Sequence, residues 1–446
     1  MNNILIIGAG RSSSALIRYV LKQSEQFGWN VTVADTNPEA ARRKINGHPN
    51  GRAAWLDVHK TNDRRDLIGR ADVVVSLLPA HLHLEVGRDC IRLSKHLITA
   101  SYVSKEMHQL GDEARRRDLI FMGEMGLDPG IDHMSAMKVI HDIKGRGGYL
   151  TAFRSYTGGL VREADLKGNP WKYKFTWNPR NVVLAGQGTA QYLEDGKYKY
   201  IPYNRLFSDI REIEVPGHGK FEVYANRDSL LYREVYGLKD IPNIVRGTIR
   251  YPGYCAGWDA LVKIGLTDSG FPIVESENLT YHELMDAFTS HLSTGASVRD
   301  RVADLLGETP HSAVMKKLDW LGLFRRTRIQ LENATPAQIL ENLLLDKWVL
   351  EPEDRDRIVM QHEFEYRENG QDKTLISTLV MEGEDSEYTA MAKLVGLPMG
   401  ILVKQVMTGH IKQTGTQVPV EAHVYEPVLR ELEEYGVIFK ETEPEP

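Results

Sequence analysis

The sequence predicts an α/β protein: a parallel sheet covered on both faces, then a mostly antiparallel sheet and a run of short helices. Three observations carry this. Over the first 130 residues, short continuous apolar runs alternate with amphipathic ones. Such alternation implies βαβ units and a parallel sheet, and runs without polar interruption mean that helices cover both faces. From Tyr149 to about Tyr254 the chain becomes rich in Gly, Tyr, Arg and Asn, with longer amphipathic strands, the pattern of a sheet with one wet face. At 446 residues the chain also exceeds one ordinary core, at roughly 100–200 residues per domain.

In chain order, NILIIG, VTVAD, AAWLDV, DVVVSLLP, HLITASY and LIFMGEMGLDPG read as buried strands. SSSALIRYVLKQSE, NPEAARRKI and HLHLEVGRDCIRLS have helical spacing between them. LTAFRSYTGG, KFEVYAN and VRGTIRYPGY are the amphipathic strands. YHELMDAFTSHL, SVRDRVADLLG, HSAVMKKLDWLGLF and TPAQILENLLLDKW are short helices, and HEFEYRENGQDKTLISTLVME is a hairpin turning at Glu368–Asp372. SEYTAMAKLVGLPMGILVKQVMTG is apolar all round, which predicts a buried helix. PVEAHVYEPVLRELEEYG gives a second helix and VIFKE a last strand, and the tail ETEPEP is expected to fray.

Composition excludes several classes. A net charge of −6 spread along the chain gives no basic face for nucleic acid. Cys90 and Cys255 are the only cysteines, too few for a disulfide scaffold and without CxxC spacing. Cys90 lies in a helical run, where it packs as a small hydrophobe. No stretch approaches the roughly 20 apolar residues of a membrane span. MNNILIIGAG lacks the basic start of a signal peptide, so a cytoplasmic location is expected.

The strongest chemical signal is NILIIGAGRSSSA. A strand runs into Gly8-Ala9-Gly10 and a helix begins near Ser12. Gly8 permits a tight turn and Gly10 lets backbone approach a pyrophosphate, which the helix N-terminus then attracts. Arg11 and Ser12 fall in this turn, and Ser13 stands at the third glycine position, small enough for close packing. This is the dinucleotide-binding arrangement of a Rossmann domain. Asp35 ends the second strand, where a carboxylate accepts from both ribose hydroxyls and repels a 2′-phosphate. It favours NAD over NADP, although Arg42 and Arg43 follow and leave NADP possible. Ligands of such sheets lie outside the strands' C-terminal ends. Those ends carry Asp35, Asp57, Leu78-Pro79, Ser101-Tyr102 and Leu127-Asp128, the last two groups on the side where nicotinamide would meet a substrate.

SYVSKEM, EMGLDPGIDHMSAM, SYTGGL, NPWKYKFTWNPRNVVLA, YANRDS and NIVRGTIRYPGY, in this order, resemble the saccharopine dehydrogenase family of the L-glutamate-forming type. So do TAMAKLVGLPMG and YEPVLRELEEYG near the end. The resemblance implies a Rossmann domain rejoined by the C-terminal segment (1–131 with 385–446). It also implies an inserted α+β domain with a dimer contact (132–275 with 355–384) and a small helical domain (276–354). The implied reaction interconverts saccharopine and water with L-glutamate and 2-aminoadipate 6-semialdehyde, by hydride transfer to or from an imine.

On this resemblance, Asp128 is the catalytic carboxylate. Ser101, Tyr102, Thr157, Gly158, Arg227, Arg246, Gly247 and Thr248 line the substrate, an amino acid derivative. A substrate with three carboxylates needs fixed cations, and arginine forks bind carboxylates bidentately, which suits Arg227 and Arg246. No metal is needed, and Asp132, beside His133, reads as an N-cap. The chain departs from the family in Thr157, where Cys is usual, in a longer charged Leu160–Asn169 segment, and in Asp35, where fungal members carry Arg. Two other readings are a carboxynorspermidine dehydrogenase, which takes a diamine, and a non-catalytic NAD-bound sensor.

Overall fold

The computed structural model describes residues 1–292 and 296–444. It divides into two compact units, Met1–Leu150 with Tyr366–Pro446, and Thr151–Glu365. The first unit begins with β1 (Asn3–Ile7), β2 (Asn30–Asp35), β3 (Gly51–Trp55), β4 (Val73–Ser76), β5 (His96–Thr99) and β6 (Ile120–Met122). These strands are Val/Ile/Leu-rich and, β3 apart, almost wholly buried, because helices cover both faces. A seventh strand, β15 (Gly415–Gln417), comes from the C-terminal segment. The order is β15-β6-β5-β4-β1-β2-β3, every pair parallel. The order reverses between β1 and β4, which opens a crevice at their C-terminal ends. This is the Rossmann arrangement.

The helix Ser14–Phe27 begins at the glycine turn. It packs on the helix Ala390–Met407, the expected buried one. Two glycines allow the contact: a Cβ on Gly396 would stand 2.7 Å from Leu16 N, and one on Gly400 2.6 Å from the Tyr19 ring. By length and composition, with mean hydropathy 1.3, Ala390–Met407 could cross a membrane, which tempers the expectation that no stretch comes close. It is nevertheless 72% buried within the protein. Cys90 is fully buried with Val74, Val86 and Leu97, and burial pushes its thiol far up, as for a packing residue.

The second unit holds β7 (Tyr149–Val161), β8 (Ala190–Glu194), β9 (Lys197–Ile201), β10 (Arg211–Val215), β11 (Gly219–Ala225), β12 (Asn243–Arg250) and β13 (Asp356–Glu368). Its sheet runs β10-β11-β12-β7-β13, with β8 paired to β12 and β9. β11 is antiparallel to β12, but β12 and β7 are parallel, with Arg246 opposite Ser155 and Thr248 opposite Thr157. The helices Tyr281–Thr289, Val298–Leu306, Ala313–Leu321 and Pro336–Lys347 lie in this unit, and capping boxes start the first and last of them.

After β13, Asn369 and Gly370 turn with φ of +53° and +77° into β14 (Gln371–Glu382), inside the expected turn. The last strand, β16 (Lys440–Thr442), starts later than VIFKE and pairs antiparallel with β14. Glu441 and Thr442 of the tail are therefore hydrogen-bonded rather than frayed. The last two residues of that tail lie outside the described ones.

Candidate active site

In the first unit, the dinucleotide turn is built as the glycines require. Gly8 has φ +111°, and its N–H donates to Ala34 O at 2.8 Å. A Cβ there would press on Leu77 at 3.2 Å. A Cβ on Gly10 would meet nothing within 4 Å, leaving open space beside its backbone. A 3₁₀ turn, Arg11–Ser13, precedes the helix Ser14–Phe27. Ser13 is buried, and its hydroxyl donates to Gly10 O at 2.8 Å, so Ser13 closes the turn. Arg11 is exposed and Ser12 half-buried, both at the open end. An anion fits here, with open space beside Gly10 and helix N–H groups, the Ala9 N–H being taken by Asp35.

Lys44 was not evident from the sequence. From the helix Pro38–Ile45 its ammonium donates to Gly10 O at 2.7 Å and Ser14 Oγ at 2.6 Å. Burial lowers its pKa, opposed by the nearby Glu387. Asp35 Oδ2 accepts from Ala9 N at 2.7 Å, and its Oδ1 accepts from Asn37 N at 2.8 Å and Thr36 Oγ1 at 3.4 Å. Asp57 lies just past β3, accepting from His59 N at 3.1 Å, and Leu78 and Pro79 follow β4, the first half-buried and the second exposed.

Ser101, Tyr102, Leu127 and Asp128 share the other end of this edge. Tyr102 donates to Asp128 Oδ1 at 3.2 Å. Leu127 is buried, Asp128 half-buried and Tyr102 exposed, so apolar support lies beneath and polar atoms above. Gly130, at φ +148°, lets the loop double back, since a Cβ there would collide with the backbone of Gly126. Asp132 is not the N-cap. Gly130 holds that position, and Asp132 Oδ1 accepts its N–H at 2.6 Å from within the helix Ile131–Gly145.

Three further polar residues brace this end. Glu124 is buried at φ +54°. One of its oxygens takes the Val103 N–H at 3.0 Å and the other lies 2.7 Å from His133 Nε2. Its own N–H donates to Ser101 O at 3.1 Å. His83 links Ser76 to Ser101, one ring nitrogen to each hydroxyl. The sequence signal for all three was a charged or imidazole side chain inside an otherwise apolar run, which by itself does not separate a brace from a surface residue.

In the second unit, Thr157, Arg246 and Thr248 lie on one face of β7 and β12. Arg246 is 2% exposed, with its guanidinium 4.0 Å over the Tyr232 ring and its backbone N–H on Ser229 Oγ at 2.8 Å. Thr248 donates to Asn226 Oδ1 at 2.7 Å. The Thr157 hydroxyl is buried with no partner among the described residues, so it can serve a ligand. Arg227 is exposed just beyond β11, next to Asn226, whose N–H donates to Arg246 O at 2.8 Å. Gly158 and Gly247 point to the opposite face, where a Cβ would press on Ile249 O at 2.7 Å and Tyr224 O at 2.9 Å. Close packing accounts for both.

Sequence reasoning passed over Arg250, on the face of Arg246 and Thr248. It is buried and donates to Tyr224 Oη at 3.2 Å, with the Tyr173 and Tyr254 rings each 5.1 Å from its guanidinium.

Residues 4–122 match the model of the saccharopine dehydrogenase NADP binding domain, and residues 126–437 that of the saccharopine dehydrogenase C-terminal domain. The chain is 32% identical over 450 residues to saccharopine dehydrogenase [NADP(+), L-glutamate-forming] of Schizosaccharomyces pombe, covering 99% of each. It is 33% identical to the Saccharomyces cerevisiae protein of that name, covering 98% of each. With the α-aminoadipic semialdehyde synthase of Arabidopsis thaliana it shares 32% identity, over 99% of this chain and 45% of that one. The structure of apo saccharopine dehydrogenase (L-Glu forming) from Saccharomyces cerevisiae superposes with a TM-score of 0.88, at 30% identity and full coverage of both chains. The chain is an oxidoreductase with a nicotinamide-cofactor domain, and it belongs to the saccharopine dehydrogenase family.

Proposed function

We propose that this protein interconverts saccharopine and water with L-glutamate and 2-aminoadipate 6-semialdehyde. The observation that carries the reading is the end-to-end match to relatives named as L-glutamate-forming saccharopine dehydrogenases, in a chain where Asp128, Arg227 and Arg246 all stand. When bound, the nicotinamide accepts or returns the hydride.

The protein's own groups do the rest. Asp128, oriented by the Tyr102 hydroxyl, takes the proton that the secondary ammonium must lose before its carbon gives up hydride. It then steers water onto the resulting imine carbon. Arg227 and Arg246 bind substrate carboxylates, Arg246 with its plane held flat by Tyr232. Thr157 offers its hydroxyl to the same ligand. No observation favours the diamine or sensor readings.

Within the cofactor class we favour NADP, because the matching domain model and the relatives are named for it. Asp35 works against the 2′-phosphate, so the margin over NAD should be narrow. The test is absorbance of reduced nicotinamide with saccharopine and either cofactor. Turnover with both, and a higher kcat/KM for NADP, is expected. No reduction of either cofactor would overturn the function, and a strong NAD preference would overturn the cofactor reading.

A further inference from the structure

We propose that His83 is a positioning residue that turns the hydroxyl hydrogen of Ser101 toward the ligand. The proposal rests on the functional reading above, which gives Ser101 its place beside substrate and nicotinamide. His83 is the first residue of the helix His83–Leu93, Ser76 is the last of β4, and Ser101 follows β5. Ser76 Oγ lies 2.9 Å from His83 Nδ1, and His83 Nε2 lies 2.9 Å from Ser101 Oγ. Both ring nitrogens are therefore committed, and the ring cannot flip without breaking two bonds.

The direction of each bond follows from burial. The imidazole is buried, which lowers its pKa to about 4. It is thus neutral near pH 7, with one N–H and one lone pair. Ser76 is fully buried and has no other side-chain partner among the described residues. Its hydroxyl hydrogen is satisfied only if it points at Nδ1, since a buried donor left unmade is costly. Nδ1 is then the acceptor, and Nε2 carries the proton and donates it to Ser101 Oγ. Ser101, half-buried at the strand-end edge, keeps its own hydroxyl hydrogen for a ligand oxygen. That oxygen would be a substrate carboxylate, the hydroxyl of a carbinolamine or a carboxamide carbonyl.

The Ser101 backbone is fixed separately, since its carbonyl accepts the Glu124 N–H and the Glu124 carboxylate holds Val103 N. What remains free in Ser101 is the hydroxyl rotor, and that is the freedom His83 removes.

Two measurements test this. In ¹⁵N-imidazole spectra of the ligand-free protein, the ring that disappears in His83→Gln should be neutral and protonated on Nε2 at pH 6. A ring protonated on Nδ1, or already an imidazolium at that pH, would overturn the proposal. This arm needs no substrate, so a wild-type protein that fails to turn over saccharopine counts against the functional reading alone.

The second arm is kinetic. Gln carries an amide nitrogen near the place of Nε2, and Asn near the place of Nδ1. His83→Asn should lower kcat/KM about tenfold, the size of one charge-neutral hydrogen bond, while His83→Gln restores most of it. In a Ser101→Ala background His83→Asn should add nothing. Equal losses in the two variants at unchanged Tm, or a full loss in the Ser101→Ala background, would show that His83 does not act through Ser101.

Discussion

The two units place polar groups in different ways. In the first, the candidate residues sit at or just past the C-terminal ends of strands, and backbone groups do much of the holding. Asp35 is bound by Ala9 and Asn37 N–H groups, and the Ser101 segment is clamped by Glu124. In the second, Thr157, Arg246 and Thr248 sit within strands, oriented by side-chain neighbours such as Tyr232 and Asn226. Strand-end groups inherit their positions from topology, whereas mid-strand groups inherit theirs from packing. The first kind should tolerate most changes of neighbour, the His83 partner of the Ser101 hydroxyl apart, and fail with changes of the residue itself. The second should fail with either.

The largest expected effect tests the first kind. Asp128→Ala should cut kcat with saccharopine by about two to four orders of magnitude if the carboxylate moves protons, with Tm little changed because Asp128 is only half-buried. A kcat within threefold of wild type would reduce Asp128 to a loop residue. Next, Arg246→Lys should raise KM for saccharopine roughly 10- to 100-fold, because an ammonium neither forks onto a carboxylate nor stacks on Tyr232. Tyr232→Leu should reproduce part of that loss. If it does not, the distinction drawn for mid-strand groups fails.

Gly396→Val would push a branched side chain into Leu16 and should cost about 1–3 kcal/mol by overpacking, read as a lower denaturant midpoint. An unchanged midpoint would mean that the two helices part easily. The smallest effect is in the cofactor. Asp35→Ser removes the charge that faces a 2′-phosphate and should move the NADP/NAD ratio of kcat/KM about tenfold toward NADP, a shift of about 1.4 kcal/mol. An unmoved ratio would show that the carboxylate is fully spent on Ala9 and Asn37.

The same contrast explains what could be read in advance. Period and glycine spacing announce a βαβ unit within some 35 residues, so the turn at Gly8–Gly10, the acidic end of β2 and the strand-end edge were legible from local sequence alone. Arg246 and Thr157 were reached only through family resemblance, because amphipathic strands say which residues share a face, not which face meets a ligand. Lys44, Glu124 and His83 were missed. Their partners Gly10, Val103 and Ser101 are 34, 21 and 18 residues away, and such contacts leave no periodic trace. The N-cap expected at Asp132 failed for a local reason: a glycine at φ +148° already begins the helix, and the carboxylate folds back onto its N–H.

The contact of Gly396 and Gly400 with the helix Ser14–Phe27 has a thermodynamic side. That helix presents its N-terminus at the phosphate turn, and Glu387, just ahead of the C-terminal helix, lies close enough to act on the charge of Lys44. Nucleotide binding and docking of the last sixty residues are therefore linked equilibria: whatever holds one holds the other. A dinucleotide bound more than 350 residues upstream should slow protease cleavage of the Glu384–Tyr388 stretch. The end of the chain thus serves as a reporter of occupancy at its beginning.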